Sequence, residues 1–398
     1  MEQAPAQLEW TSRPDLTHQL DICPEADVEA WRLQVPAKGA CYVLEEAGGR
    51  AVLLASCADL RQALVRRLGP QEQGQTPSKR VDYRSIVRRV RWRPVYSRFE
   101  ANWTYLENAR DLLPGTYRRL IKHWRSHWLS VELGDPHPRF IASDRPAGEP
   151  ETCFGPLADA RSARGIVELL EDVFDLCRYP STLVLSPNGQ ACAYKQMGRC
   201  PAPCDGTVPM ETYREQVRSA VEFLTQPRQA WIERVTCAMK EAARLQRFEE
   251  ASRYKRQIER VKAADCGPLS RLAPLSQMRW LTLQRGPRAG SVRAFLLEPG
   301  AITFAGQIDP RNCQELLPEL ARRAAQSMEA PVSLGPAAAE RTGLAAWHLL
   351  HADREPGVYL HASEVQELEQ LTRAFEQVAH PKEPPHGPAV IELQSQAQ

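Results

Sequence analysis

The chain has 398 residues, with 51 Lys and Arg against 49 Asp and Glu and a formal net charge of +2. That length gives room for roughly two to four small domains, each with its own core, and the balanced charge excludes a global basic field as the route to nucleic acid, leaving local patches. No apolar run reaches transmembrane length and the opening MEQAPAQLEWTSRPD lacks the charged-then-apolar order of a signal peptide, so the expected compartment is the cytoplasm, with the 11 cysteines reduced.

Residues 1–35 read as a leader of loop and short helix. From Gly39 the sequence becomes GACYVLEEAGGRAVLLAS, two apolar runs around Gly48-Gly49, which predicts a hairpin. ADLRQALVRRLG follows as a helix, with Leu60, Leu64 and Leu68 on one face and Gly69 as its stop. Residues 80–125 are the most basic part, with Arg88, Arg89, Arg91, Arg93, Arg118, Arg119, Lys122 and Arg125, and Trp92, Trp103 and Trp124 among them. Such a mixture suits a nucleic-acid surface, where arginine meets phosphate and rings stack on unpaired bases. It equally suits an ordinary strand and helix with tryptophans in the core. Farther on, Phe154-Gly155-Pro156 reads as a turn. Ile166, Leu169, Leu170 and Val173 then make a helical stripe that leads through Phe174 and Leu176 to a cysteine.

The stretch CRYPSTLVLSPNGQACAYKQMGRCPAPC holds Cys177, Cys192, Cys200 and Cys204, spaced C-x14-C-x7-C-x3-C. Iron–sulfur clusters are held by four thiolates on irregular backbone. Zinc sites more often pair their ligands in two short knuckles, and here only the last pair is short. Plain structural cysteines are the third reading. Disulfides are disfavoured in a chain without a signal peptide and without a pairing pattern.

After the cysteines, VPMETYREQVRSAVEFLTQ is an amphipathic helix starting near Glu211. RQAWIERVTCAMKEAARLQRFEEASRYKRQIERV then reads as two helices joined near Gln246-Arg247, an antiparallel hairpin whose alanines permit close approach. A hairpin this short buries little by itself and gains from a partner, either within the chain or outside it. MRWLTLQR, SVRAFLLE and AITFAGQI predict three strands, residues 312–328 a helix, and HPKEPPHGPAVIELQSQAQ a disordered tail. Asp309, His348, His351 and Asp353 have no ligand-like spacing and read as surface residues.

The run CAYKQMGRCPAPCDG is similar to the UvrC family segment C-L-x-Y-Q-I-G-R-C-x-x-P-C-x-G, keeping Tyr194, Gly198, Arg199, Cys200, Pro203, Cys204 and Gly206. The resemblance implies a [4Fe–4S] cluster on Cys177, Cys192, Cys200 and Cys204, with zinc as the alternative. The first gap is longer than in the family. CFGPLADARSARGIVELLEDVFDLC also resembles the family's segment before the first cluster cysteine. Hairpin then helix is how the family's GIY-YIG nuclease domain begins, with a pattern P-G-V-Y, turn, L-Y-V-G-K-A, N-L-r-x-R. Laid on it, Tyr42 takes the first motif tyrosine, but Leu53, Ala55, Ser56 and Ala63 replace the second tyrosine, the glycine, the lysine and the catalytic arginine.

That chemistry needs an activated nucleophile, an arginine fork on the phosphate and a glutamate-bound metal. Loss of one transition-state cation costs on the order of 10²–10³ in rate. Arg61, Arg66 and Arg67 offer either a shifted arginine or a solvated helix face. SRFEANWTYLENARDLLPGTY resembles the family's glutamate helix. Anchored on Leu106-Glu107-Asn108 it places Glu107 at the metal position, and anchored on Glu100-Ala101 it places Tyr105 there. The pattern M-x-x-A-A-x-x-x-x-F-E-x-A-x-x-Y-x-x-Q-I is similar to the UVR motif, which in the family docks on a matching hairpin of the helicase UvrB. It implies a partner face of Met239, Ala243, Phe248, Glu249, Ala251, Tyr254 and Ile258, with Gln257 departing from the family's aspartate.

The expectation is an α+β multidomain chain. It comprises a leader at 1–35, a degenerate GIY-YIG-like αβ domain at 36–134, a linker and Cys-rich iron–sulfur segment at 135–210, and a helical region with the UVR hairpin at 211–265. A small C-terminal αβ domain follows at 268–378, an RNase H-like remnant without a recognisable carboxylate cluster, and then a disordered tail at 379–398. The implied function is UvrC-like excision repair with UvrB on damaged DNA and a weakened or lost N-terminal nuclease. Tyr42 and Glu107 are the candidate catalytic residues, with a divalent metal at any residual site, and Arg88, Arg89, Arg91, Arg118, Arg119 and Lys122 are the candidate DNA contacts. A non-catalytic binder of UvrB or DNA, or a redox-responsive iron–sulfur protein, is the alternative.

Overall fold

The computed structural model describes residues 10–23, 28–69, 83–121, 124–264, 269, 272–332, 334–354, 356–381 and 394–396. These form a mixed α and β structure with three antiparallel sheets, divided into two compact units. One unit gathers Met1–Trp124, Arg279–Ala330 and His351–Gln398, and the other Arg125–Met278 and Pro331–Leu350. Among the described residues no helix is long and apolar enough to cross a membrane.

The chain begins with β1 (His18–Asp21), α1 (Val28–Arg32) and the expected hairpin of β2 (Ala40–Glu46) and β3 (Ala51–Cys57). Gly49 turns the hairpin at φ +79°, a left-handed value that costs glycine little. Helix α2 (Leu60–Leu68) starts at Asp59, whose carboxylate accepts from the Gln62 amide at 2.9 Å. β4 (Val87–Pro94) pairs with β2 on one side and β1 on the other. Because side chains alternate along a strand, Tyr42, Leu44, Leu53 and Ala55 face α1 and α2, in one core with Trp31, Leu60, Leu64 and Leu68. The opposite face of β2 and β3 receives α3 (Arg98–Leu112), and α4 (Tyr117–Leu120) follows as a single turn.

In the second unit β5 (His127–Ser130) lies between β6 (Ile141–Ser143) and β7 (Cys153–Leu157). Phe154, Gly155 and Pro156 are part of β7 rather than the expected turn. A Cβ at Gly155 would stand 2.4 Å from the Trp128 ring, so glycine is there to let the indole lie on the strand. Helix α5 (Ala160–Val173), capped by Asp159, packs Ala163, Ile166, Leu170 and Val173 on this sheet. The short helices α6 (Pro180–Leu183) and α7 (Ala193–Gln196) carry the cysteine loop, and α8 (Met210–Thr225), α9 (Arg228–Arg244) and α10 (Phe248–Ala264) complete the unit with β8 (Ala273–Pro274) on β7. Phe174, Phe223 and Trp231 meet ring to ring at 5.3–6.1 Å. The hairpin of α9 and α10 forms as its pattern predicts, reversing through Gln246 at φ +58°.

The chain then returns to the first unit with the predicted strands β9 (Trp280–Arg285), β10 (Val292–Glu298) and β11 (Ala301–Ile308). Helix α11 (Cys313–Ser327) follows, and α12 (Pro336–Leu350) belongs to the second unit. β12 (Val358–His361) pairs with β9, and α13 (Leu368–Ala379) packs with α11 on one face of this sheet through Leu283, Leu296, Leu320 and Phe375. The other face meets α3: Phe99 and Trp103 contact the Phe295 ring edge-on at 5.2 and 5.7 Å. Helix α3 thus has a sheet on each side and is buried without a break from Phe99 to Glu107, as a helix covered on all faces must be. The buried Glu100 is paired with Arg293 of β10 at 2.8 Å and accepts from the Tyr96 amide at 3.1 Å.

The C-terminal αβ segment expected as a separate domain at 268–378 is therefore mostly gathered with the N-terminal sheet, because α3 needs a second sheet to cover it. Of the tail, Gln394–Gln396 forms β13 on the edge of β3, where disorder was expected. Residues 382–393 and 397–398 lie outside the described residues.

Replacing Phe295 by Ala empties the contact between α3 and the second sheet. The expected cost is about 3–5 kcal/mol, read as a lower denaturant midpoint, with faster amide exchange in both β2 and β10 because one helix joins their cores.

Candidate functional site

Tyr42 is 1% exposed, and its hydroxyl accepts a 2.8 Å hydrogen bond from Arg67 Nε. Tyr83 lies beside the same guanidinium, its hydroxyl pushed above the usual tyrosine range by burial. Arg67 is thus the arginine that comes to the tyrosine, from a position shifted along α2, while Ala63, Leu53 and Ala55 are apolar members of the same core. Glu107 is on α3, on the opposite face of the sheet, and is paired with Arg110 at 3.0 Å. Arg93 shares that opposite face: it aligns with Cys41 in the β2–β4 pairing and feels the charge of Glu100. The two candidate catalytic side chains are therefore separated by the sheet itself.

The candidate DNA contacts divide. Arg88 donates to the carbonyls of Ser85 and Val87, Arg89 is paired with Asp21 at 2.7 Å, and Arg91 with the buried Glu45 at 2.6 Å. Arg89 and Arg91 tie β4 to the neighbouring strands, and Arg88 folds back on its own backbone. Arg118 and Arg119 are exposed on α4, and Lys122 lies outside the described residues. Trp92, Trp103 and Trp124 are core residues, at most 7% exposed, and offer no stacking face to a base.

Four of the second unit's cysteines, Cys177, Cys192, Cys200 and Cys204, lie on the stretch between α5 and α8. Cys177, Cys200 and Cys204 are buried and Cys192 is half-buried. Cys177 and Cys200 act on one another: that interaction and burial push the Cys177 thiol up, and the same interaction draws the Cys200 thiol down. Cys204 feels both Cys200 and Cys192, and burial raises it. Hydrogen bonds to the backbone tie this stretch together. Gly189 N–H donates to the Cys204 carbonyl at 2.8 Å, Ser186 Oγ to the Pro203 carbonyl at 2.6 Å, and Arg199 N–H to the Tyr194 carbonyl at 2.9 Å. A Cβ on Gly189 would stand 2.9 Å from that Cys204 oxygen, so the approach requires glycine. Lys195 holds Asp205 at 2.6 Å, and with Thr207 it draws that carboxyl down to about 2.

All described cysteines are free thiols. Among the described residues no group of three or more His, Cys, Asp or Glu stands at ion-holding geometry. Two of the thiols instead meet backbone carbonyls: Cys177 Sγ lies 3.5 Å from that of Tyr179 and Cys204 Sγ 3.9 Å from that of Gln190. In donor chemistry alone, four thiols on irregular backbone are what a sulfur-liganded iron cluster or zinc takes.

An arrangement that sequence reasoning missed lies at the end of α5. Asp172 takes Arg178 on one oxygen and Arg260 of α10 on the other. Arg178 also donates to the Arg199 carbonyl at 3.3 Å and lies over the Tyr194 ring at 4.4 Å. Gln257 Nε2 donates to the Val173 carbonyl at 2.6 Å, and Arg253 pairs with Asp175 at 3.4 Å. Glu171, 3.9 Å from Arg178, is raised to about 7 by burial. The available signal was the acidic run Glu171, Asp172, Asp175 just before a Cys-Arg pair.

Of the expected partner face, Phe248 is 68% exposed, Ala243 and Glu249 are exposed, and Met239, Ala251 and Tyr254 are half-buried. Ile258 is buried, in the unit's own core beside Val261. The hairpin is therefore anchored at its base and open at its tip. In the C-terminal sheet β9 carries no carboxylate, and Glu298 at the end of β10 faces Arg279 at 3.6 Å.

Comparison with known proteins agrees with this division. The family described as UvrC/Cho excinuclease, middle domain, matches residues 126–223, and the UvrB/uvrC motif matches residues 232–264. The UvrABC system protein C of Anaeromyxobacter dehalogenans (strain 2CP-C) is 28% identical over 264 residues, covering 64% of this chain and 35% of its own length. That of Trichlorobacter lovleyi is 27% identical over 239 residues, covering 58% and 37%. That of Shewanella halifaxensis is 30% identical over 165 residues, covering 41% and 27%. The chain spans about a third of the length of the curated relatives it matches. No solved structure matches it significantly. The chain thus resembles the UvrC family through a stretch similar to its middle domain and a stretch similar to its UVR motif.

Proposed function

We propose that the chain acts with UvrB in nucleotide excision repair, holds an iron–sulfur cluster through Cys177, Cys192, Cys200 and Cys204, and does not cut DNA with its N-terminal sheet. One observation supports this most. The hairpin matched by the UVR motif presents an exposed Phe248 from the same compact unit that carries Cys177, Cys192, Cys200 and Cys204. A large apolar ring left in water at a helix junction is the kind of anchor on which binding energy concentrates. An iron–sulfur group bound at the thiols would cross-link the loop and supply a one-electron redox centre. The chain's own part is to bring the sulfurs together and keep the loop's carbonyls hydrogen-bonded, through Gly189, Ser186 and Arg199. Zinc would use the same thiols.

The N-terminal sheet reads as a degenerate GIY-YIG-like fold serving as a platform. A nucleophile must reach its phosphorus, and a metal must share the site. Tyr42 is enclosed and held by Arg67, and Glu107 lies across the sheet beside Arg110. Contact with DNA on this unit then falls to exposed cations such as Arg118 and Arg119.

Three measurements test the reading. Protein purified without oxygen is expected to be brown, with iron and sulfide in near-equal amounts, and Cys200→Ala is expected to lose both; zinc in their place makes the site a zinc centre. Binding of UvrB in solution is expected to weaken roughly tenfold or more for Phe248→Ala, and unchanged affinity removes the hairpin as the docking element. A nicking assay on damaged duplex with UvrB and a divalent metal is expected to show no incision that Tyr42→Phe or Glu107→Ala abolishes. Incision lost in either variant restores the nuclease reading.

A further inference from the structure

We propose that Asp172 couples the cysteine loop to the UVR hairpin, because one carboxylate holds Arg178, beside Cys177, and Arg260, on α10. On this proposal, fixing the four cysteines on a metal group and seating α10 on α5 favour one another. The inference rests on the cofactor reading above.

Each arm of the arrangement is built. On the loop side Arg178 is only 12% exposed. Its guanidinium faces Asp172, the Tyr194 ring and the Arg199 carbonyl, so it touches two residues between Cys192 and Cys200, one of them just before Cys200. On the hairpin side Arg260, Gln257 and Arg253 meet three successive parts of one turn: Asp172, the Val173 carbonyl and Asp175. Asp175 itself stands at φ +53°, a conformation uncommon for a side-chain-bearing residue, which turns the chain sharply between α5 and Cys177. A two-oxygen carboxylate with a different arginine on each oxygen cannot lose one partner without disturbing the other. Loop and hairpin therefore share a pivot.

Thermodynamic linkage makes the consequence reciprocal. Coordination that fixes Cys177 also fixes the backbone of Arg178, keeps its guanidinium on Asp172 and leaves that carboxylate oriented for Arg260. A partner that draws α10 off α5 removes Arg260 and loosens the loop that holds the metal group. Asp172 is thus a positioning residue, acting on the sulfurs through Arg178.

The test uses the full chain, freed of metal and then reconstituted anaerobically with ferrous iron and sulfide, with Zn²⁺ alone as a second probe. Retained metal and the amide exchange of α10 are measured for the wild type, Asp172→Asn, Asp172→Glu and Arg260→Gln. Loading is expected to slow exchange in α10 roughly fivefold or more in the wild type. In Arg260→Gln the metal is retained and the slowing is absent. In Asp172→Asn the slowing is absent and iron is lost faster, and Asp172→Glu restores both. Retained metal with α10 exchange unchanged on loading overturns the coupling and leaves the cofactor reading intact. So does slowing that persists in Arg260→Gln. A wild type that retains neither metal overturns both readings, and the metal analysis alone identifies that case. Should Asp172→Asn fail to fold, Arg260→Gln, at a half-exposed position, still decides.

Discussion

Charges removed from water must be paired and hydrogen-bonded or they unfold what encloses them. The end of α5 puts Glu171, Asp172 and Asp175 within five residues of one another, next to a buried cysteine. They stay there because Arg178, Arg253 and Arg260 come to them from two other elements. This one requirement accounts for much of the second unit. It orients the loop that follows Cys177, it seats the hairpin on α5, and it leaves the hairpin's tip free while its base is held. Apolar packing from Phe174, Phe223, Trp231 and Val261 supplies cohesion, but a greasy contact is tolerant of rotation, whereas two arginines on one carboxylate are not.

The first unit is governed by a different necessity. Helix α3 carries Glu100, Asn102, Thr104 and Glu107 among aromatics and is nonetheless enclosed. Enclosure demands an answer for each polar group, and Arg293 of β10 supplies one for Glu100 while its guanidinium lies 4.1 Å from the centre of the Phe304 ring. The sheet that carries Tyr42 thereby becomes one wall of a closed body. Within that wall the Tyr42 hydroxyl is held by Arg67.

The elements with clean periodicity were legible in the sequence. The hairpin at Gly49, the stripe of Leu60, Leu64 and Leu68, the helical pair around Gln246 and the meander from Trp280 to Ile308 all follow local rules of alternation and turn chemistry. What escaped were features set by distant partners. Helix α3 has no single apolar face, so nothing local announces that two sheets will cover it. Phe154-Gly155-Pro156 has turn composition but lies in a strand, because Gly155 accommodates the Trp128 ring. The arginines of β4 looked like a phosphate-binding row, and Asp21 and Glu45, far along the chain, neutralise two of them. The grouping of the four cysteines on one stretch was plain from their spacing. The shared carboxylate behind them was not, since an acidic helix end ordinarily faces solvent.

The division of the chain also sets the order in which it can be completed during synthesis. Residues 125–278, nearly all of the second unit, emerge in one continuous piece and can pack as soon as they clear the ribosome. The first unit is split by that piece: α3 is made early, but the strands that cover its second face arrive only after residue 279. Until then its aromatic surface must wait, exposed or provisionally covered, for partners nearly two hundred residues downstream, roughly ten seconds or more at ordinary translation rates. Closure over so long a separation is entropically slow. This makes the nascent N-terminal half the stretch most in need of protection by chaperones.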